Sequence, residues 1–431
     1  ERGDRSLELA ALVARATLRS TFTAVHDPAQ GRALSEQALA LARELSDRRA
    51  EAKIRWNMLL LSTATGHWQE ATEHGEQSLA LARELGLREQ LAYTLNDIFR
   101  PYASGGQYAR ARAVADEARP IWAELGNLPM LADNYSRTAR ILFALGEYDR
   151  ALETSQRARE ISQSIGNLWG QSFCRMFVGY IHLERGDPGT AIQIMEDCIR
   201  LGEQAGFMMV QVGTRADLSW IYGSLGALER GFELCRLARS LAEQRFPALR
   251  AAALGNLARL HVMQGNLAEA EAAVAEGYRD PGLEDYATHA PLAVRLADAE
   301  LALARGDHAH VIAVIEDLLA RLKQVGLRPF RADALYLKGC ALLAQNHTDA
   351  ARETLRQAQA EAEALGSRRM LWRVSAALAE VELRRADRAE AKRLRRQARE
   401  VVGFIAEHIS APDLRESFLA LADVRAVLHS H

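Results

Sequence analysis

The chain is poor in cysteine, proline and aromatic residues: 4 Cys, 10 Pro and 6% Phe, Trp and Tyr in 431 residues. Cys174, Cys198, Cys235 and Cys340 stand far apart, with no C-x-x-C spacing. Disulfide and zinc frameworks need tighter clusters. Each thiol instead reads as a reduced, packed side chain in an Ala/Leu-rich segment of a cytoplasmic protein. Ten prolines and 29 glycines are too few for a collagenous or low-complexity chain. No run of 18 apolar residues is present, so no membrane span is expected. An excess of positive charge is also missing. With 54 Lys+Arg against 56 Asp+Glu, the net charge of -2 argues against a nucleic-acid-binding surface. The sequence opens at Glu1 without a Met or a basic-then-apolar leader, and reads as a piece of a longer polypeptide.

Catalytic signatures are missing as well. There is no G-x-x-x-x-G-K-[ST] phosphate loop, no H-E-x-x-H, no G-x-S-x-G and no dinucleotide glycine fingerprint. His308 and His310 are two residues apart on a helix start, so they cannot form an i,i+4 metal pair. His429 and His431 lie on the terminal tail. Asn134-Tyr-Ser136 and Asn346-His-Thr348 match the glycosylation triplet without meaning in a cytoplasmic chain. No residue-level argument makes this chain an enzyme, and none requires a cofactor or metal.

What the chain does contain is a repeat. Gly is followed five residues later by a small residue in Gly66…Ala71, Gly106…Ala111, Gly146…Ala151, Gly186…Ala191, Gly226…Gly231, Gly265…Ala270 and Gly306…Val311. The series continues through Asn346…Ala351 and Ala386…Ala391, at intervals of about 40 residues, and Pro28…Ala33 reads as a degenerate first copy. A second set of stops, Ser46, Gly86, Gly126, Gly166, Gly206, Gly326 and Gly366, falls between the first. Phe246-Pro247 and the region of Tyr286 take its two remaining slots. The stretches between stops are rich in strong helix formers, and Gly just past such a run supplies a left-handed C′ residue. Each unit is therefore a hairpin of helix A and helix B. A second small residue seven before the turn (Ala139, Gly179, Ser219, Ala258, Ala299, Gly339, Ala379) lets the two helices approach; Leu59 and Phe99 break this rule. One hairpin cannot bury its apolar face alone, so the units must stack.

These markers, with aromatics two residues after the turn (Trp68, Tyr108, Tyr148), resemble the tetratricopeptide repeat over about residues 5–402. The resemblance implies an all-α, right-handed α-solenoid superhelix of about ten hairpins, with helix A lining the concave side. The units are longer than the family's usual repeat and lack its terminal Pro. The stretch Glu276–Pro291, with Pro281, Gly282 and Pro291, should shorten one helix B and insert a loop. We divide the chain into an array, 1–402, and a tail, 403–431, in which Ser410 or Pro412-Asp413 starts a capping helix with Leu414, Phe418 and Leu421 inward. The tail string Asp413-Leu-Arg-Glu-Ser-Phe-Leu419 also resembles the end of repeat sensor regions in STAND-class signal-transduction ATPases of the maltose-regulator type.

On that orientation, residues at one offset in successive units form a ladder across the groove. Six before the turn stand Leu60, Arg100, Arg140, Tyr180, Trp220, Arg259, Glu300, Cys340 and Glu380. Ten before it are Trp56, Asn96, Ser136, Met176 and Ala216; thirteen before it, Lys53, Tyr93, Asp133 and Phe173. Arg binds carboxylate or phosphate bidentately, and Tyr or Trp offers a flat apolar face. We therefore take Arg100, Arg140, Tyr180, Trp220 and Arg259, with Trp56, Asn96 and Tyr93, as the candidate ligand-binding set. The alternative is that the arginines only solvate the groove and Tyr180 and Trp220 pack between helices. Met208, Met209 and Trp169 read as interhelical packing, and the Arg-rich face from Arg384 to Arg399 as a solvated helix face interleaved with carboxylates.

The expected function is a sensor: the regulatory region of a multidomain bacterial signalling ATPase or transcription regulator. It would bind a small-molecule or protein inducer in the groove and report to an upstream nucleotide-binding or effector module of the same polypeptide. No direct nucleic-acid or membrane partner is expected. The mechanism would be a population shift between two curvatures. The alternative is a constitutive adaptor gripping a peptide or helix; the 40-residue unit also resembles polarity-adaptor and motor light-chain repeats.

Overall fold

The computed structural model describes residues 2–21, 25–285 and 290–429, and among these there is no strand. Tyr286 and His431 lie outside the described residues. Ten helix hairpins follow one another, beginning with Arg2–Ser20 and Pro28–Glu44 and ending with Arg368–Arg384 and Arg388–Glu407. The chain forms two compact units, Glu1–Ile141 and Leu142–His431, which divide inside helix Leu128–Ala144.

Local chemistry places the hairpin ends. At the turn after helix Arg48–Ala64, the Gly66 N–H donates to the Thr63 carbonyl at 3.2 Å and the His67 N–H to the Ser62 carbonyl at 2.9 Å. This is the paired Schellman closure, which needs a left-handed residue at its centre; Gly66 has φ 76°. Ser46, Asn346 and Ala386 hold the same conformation with side chains, at φ 57°, 64° and 63°. The small residues act as expected: a Cβ on Gly179 would lie 2.7 Å from Met195 Cγ, and one on Gly339 would lie 2.5 Å from Leu355 Cγ.

Four features differ from the expectation. In the first hairpin, helix B begins at Pro28, 40 residues before its counterpart at Trp68. Gly31, not Ala33, therefore matches Ala71, and Gly31 is the residue packed under Leu61. The fifth helix A is broken into Leu168–Phe173 and Val178–Glu184. At the break the backbone bonds tighten to the i+3 pattern, with the Arg175 N–H donating to the Ser172 carbonyl and the Met176 N–H to the Phe173 carbonyl, both at 3.3 Å, and the Val178 N–H to the Arg175 carbonyl at 3.1 Å. Third, helix Arg388–Glu407 runs through the 402/403 boundary. Last, the tail carries two short helices rather than one, Pro412–Ala420 and Ala422–His429, because Leu421 leaves helical conformation at φ -57°, ψ 136°.

The Glu276–Pro291 stretch shortens its helix B to Leu267–Tyr278, followed by a 3₁₀ turn at Pro281–Glu284. Within Leu142–His431 the array doubles back, so that its first hairpins meet its last. The Arg328 N–H donates to the Ala144 carbonyl at 2.9 Å, and the Gly189 N–H to the His408 carbonyl at 2.9 Å. A Cβ at Gly226 would lie 2.9 Å from the Ser417 carbonyl oxygen, so the tail helices seat directly on that turn.

Candidate functional site

The sequence-derived set divides between the two compact units. Trp56, Tyr93, Asn96, Arg100 and Arg140 belong to Glu1–Ile141; Tyr180, Trp220 and Arg259 belong to Leu142–His431.

In the first unit these residues sit in a polar chain on successive A helices. Trp56 Nε1 donates to Asp97 Oδ2 at 2.7 Å, and the Lys53 ammonium lies 4.1 Å above the Trp56 ring. Tyr93 stands 5.8 Å from Trp56 and 5.0 Å from Trp122, centroid to centroid. Asn96 Nδ2 donates to Asp133 Oδ2 at 2.9 Å, and Arg137 Nε donates to the same oxygen at 2.6 Å. Arg137 and Arg140 both lie over Phe99, at 5.5 and 5.6 Å, and Arg100 lies 5.4 Å over Trp68. Burial lowers the Lys53 ammonium from its ordinary value, against the pull of Glu89 and Asp97. Burial likewise raises the Asp97 carboxyl, although Arg137 and the Trp56 hydrogen bond oppose it. In both groups burial, which disfavours the charged form, outweighs the neighbouring charges. Trp56, Asn96 and Arg140 are buried, while Lys53, Tyr93, Asp97, Arg100 and Arg137 are half-buried and keep surface.

Helices Arg2–Ser20 and Arg48–Ala64 border an open groove of about 590 Å³, lined among others by Leu9, Val13, Leu18, Asp47, Ala50 and Lys53. That volume lies within the range of ligand clefts. Apolar walls and a charged end make it suited to an amphipathic side chain or short segment.

In the second unit the same ladder is closed. Tyr180, Trp220 and Arg259 are 3%, 4% and 5% exposed. Phe330 stands 6.1 Å from Tyr180 and 6.5 Å from Trp220. It reaches them from the loop after helix His308–Val325, on a left-handed backbone (φ 66°) just after Pro329. Arg369 lies 5.4 Å over Trp220 and 5.7 Å over Phe330. Its Nε donates to Glu184 Oε1 at 2.7 Å, and its two terminal nitrogens donate to the Asp333 carboxylate, both at 2.7 Å. Ser367 Oγ also donates to Glu184. Arg259 grips Glu300 through Nε and a terminal nitrogen, at 2.9 and 2.6 Å, and lies 4.5 Å over Trp220. Burial raises the Glu184 carboxyl; in Asp333 burial is outweighed by Arg369, which holds that carboxyl below its ordinary value.

Lys53 and Asp133 stood in the sequence ladder, but Asp97, Arg137, Glu184, Phe330, Asp333 and Arg369 were missed. Asp97 and Arg137 share one offset, nine before the turn, and a fourth register would have found them. Asp333 stands thirteen before its turn, in the register of Lys53 and Asp133, whereas Glu184, Phe330 and Arg369 are joined by closure of distant hairpins and carry no local signal. The Arg-rich outer face is paired as expected from its interleaved acids, as in Arg393 to Glu390 at 2.7 Å. Among the described residues no group of three His, Cys, Asp or Glu could hold a metal, and no helix is long and apolar enough to cross a membrane.

A tetratricopeptide repeat family model matches residues 332–364, which span the hairpin of Arg331–Ala344 and Thr348–Ala364. That hairpin carries a tetratricopeptide repeat, within an array of tetratricopeptide-type fold. Of the solved structures similar to this repeat array, a Rap protein complexed with competence and sporulation factor is 10% identical, with a TM-score of 0.57 over 85% of this chain and 99% of that one. The apo form of RapI is 13% identical, with a TM-score of 0.50 over 65% and 98%. A signal transduction ATPase with numerous domains (STAND) with a tetratricopeptide repeat sensor, from Pyrococcus horikoshii, is 12% identical over 90% and 55%, at a TM-score of 0.41 that adds nothing to the argument. At these identities the likeness concerns the solenoid fold alone. No curated protein matches the chain.

Proposed function

We propose that this repeat scaffold is a sensor that binds an inducer on the helix-A face of residues 48–140, with Trp56, Tyr93, Asn96, Arg100 and Arg140 in the binding set. One observation carries the reading: the two stretches of the ladder differ in what they have left to offer. Tyr180, Trp220 and Arg259 are spent on Phe330, Arg369 and Glu300, whereas Lys53, Tyr93, Arg100 and Arg137 keep surface, with Lys53 at the wall of an apolar groove. Toward the turns of these A helices Arg100, Arg137 and Arg140 stand with Asp97 and Asp133, while Lys53 is matched by Asp47, Glu89 and Asp97 at the other end. The inducer is then an acidic peptide or protein segment, with an apolar side chain in the groove and carboxylates toward the arginines. A repeat fold of this kind accommodates a bound factor in the solved Rap complex. The sensor would report to an upstream nucleotide-binding or effector module of STAND type; the tail string from Asp413 to Leu419 and the unit length support that part.

The test is an array of immobilised peptides of graded acidity and apolar content, probed with the purified chain and with the pair Arg100→Glu, Arg140→Glu, both checked for an unchanged helical melt. Retention of acidic, apolar-bearing peptides that falls about tenfold or more in the variant supports the site. Equal retention by both proteins means the arginines only solvate the face. A constitutive adaptor would bind through the same face but show no change of conformation on binding, which hydrogen exchange reads directly.

A further inference from the structure

Two grooves between successive B helices can be compared residue by residue. Helices Trp68–Glu84, Arg88–Ser104 and Tyr108–Glu124 reappear 240 residues on, six repeats later, as His308–Val325, Arg331–Ala344 and Thr348–Ala364. In the earlier groove each cation meets a carboxylate of the following B helix. Arg83 holds Glu117 at 2.7 and 2.9 Å, and Arg88 pairs with Glu124. The counterparts of these cations are Lys323 and Arg328, but those of the two carboxylates are Gln357 and Ala364. In addition, Leu91 is matched by Arg331 and Ile121 by Glu361. Two cations and two carboxylates have become three cations and one carboxylate. The B helices end within one residue of the same positions in both grooves, so their C-terminal dipoles do not account for the difference.

The remaining carboxylate is shared. Arg328 reaches Glu361 at 3.2 Å and Arg331 reaches it at 3.1 Å, which sets the two guanidiniums beside each other. Among the described residues Lys323 has no ion pair, and the Arg331 Nε is buried without a hydrogen-bond partner. These side chains, with Gln357 and Ala364, line an open cleft of about 540 Å³ whose apolar walls include Leu319 and Leu335. That volume lies in the range of small-molecule clefts.

We propose that this cleft binds a small organic phosphate monoester. A local excess of two positive charges matches a phosphate dianion, whose oxygens accept from the Lys323 ammonium and from the terminal nitrogens of the arginines. The oxygens take the places that the Glu117 and Glu124 carboxylates hold in the earlier groove, and Leu319 and Leu335 receive the apolar part of the ester. The cleft lies wholly within Leu142–His431 and shares no residue with the inducer-binding set, so either proposal can fail alone.

The probe is phenyl phosphate, titrated calorimetrically into the full chain beside benzoate, a monoanion with the same ring, and inorganic phosphate, which lacks it. Saturable binding of phenyl phosphate is expected, about tenfold tighter than that of either control. The deciding variant is Gln357→Glu with Ala364→Glu, which gives this cleft the carboxylates of the earlier groove. It should keep the helical melt, because the earlier groove folds with those residues, and weaken binding about tenfold or more. Lys323→Gln, at an exposed position, should weaken binding in the same direction. Absence of saturable binding, equal affinity for benzoate, or binding unaltered in both variants overturns the proposal. Inorganic phosphate bound as tightly as the ester assigns the cleft to the free ion and overturns it as well.

Discussion

Arg369 and Glu184 meet at 2.7 Å across 185 residues of chain, and the same guanidinium holds both oxygens of Asp333. One side chain therefore ties the last hairpin to the fifth and the ninth. With side-chain exposures of 14%, 5% and 8% for Arg369, Glu184 and Asp333, the cluster is shielded from solvent. Ser367 adds a hydrogen bond to Glu184, Arg259 and Arg373 lend positive charge to Asp333, and the Arg369 guanidinium lies over Trp220 and Phe330.

Removal of one member should cost more than the pairing contributes. Arg369→Ala leaves two carboxylates in a nearly dry site and is expected to destabilise the closed array by about 3–5 kcal/mol. Amide exchange in helix Val178–Glu184 should lose protection first, since Glu184 is its anchor to the far end. Unchanged protection there would mean that the closure stands on the Phe330 and Gly189 contacts instead.

Two substitutions between the same residue types should have opposite signs. Gly339→Ala puts a Cβ 2.5 Å from Leu355 Cγ in a fully buried contact, a loss of about 1–3 kcal/mol by overpacking. Ala386→Gly relieves a left-handed residue at φ 63° at the tenth turn, a gain of about 1 kcal/mol. Chemical denaturation of the two variants beside the parent measures both.

The thiols should be inert in the folded protein. Burial pushes Cys174, Cys198 and Cys235 up to about 12 and Cys340 to about 11, and the thiolate is the reactive form. Ellman's reagent at pH 8 is expected to leave all 4 cysteines unmodified in native protein and to titrate all 4 in guanidinium. Rapid reaction of one thiol in native protein would reveal a local opening at its hairpin.

The hairpin grid was legible because each chain reversal is a local problem. A helix that ends in a Schellman closure needs a residue tolerant of positive φ, and that residue recurs visibly at Gly66, Gly106 and Gly146. Close approach of helices A and B likewise shows as Gly179 and Gly339. The ladder of Arg and aromatic residues was legible as a register, but its surroundings were not. Trp56 and Trp220 both stand on A helices, ten and six before their turns, yet one lies beside the half-buried Lys53 and Tyr93 and the other under Phe330 and Arg369. Periodicity also hid the first hairpin's longer turn, so Ala33 stood in for Gly31 until the hydrogen bond from the Asp27 N–H to the Arg19 carbonyl set the register.

The amino-acid order by itself determined how many hairpins form, where each turns and which face of each helix packs on its sequence neighbour, because those outcomes depend on residues within about one repeat of one another. Tertiary structure alone decided which stretch of the inner face stays accessible. Small rotations between neighbouring hairpins add up along the array until residues such as Glu184 and Arg369 meet, and that sum is carried by no single repeat.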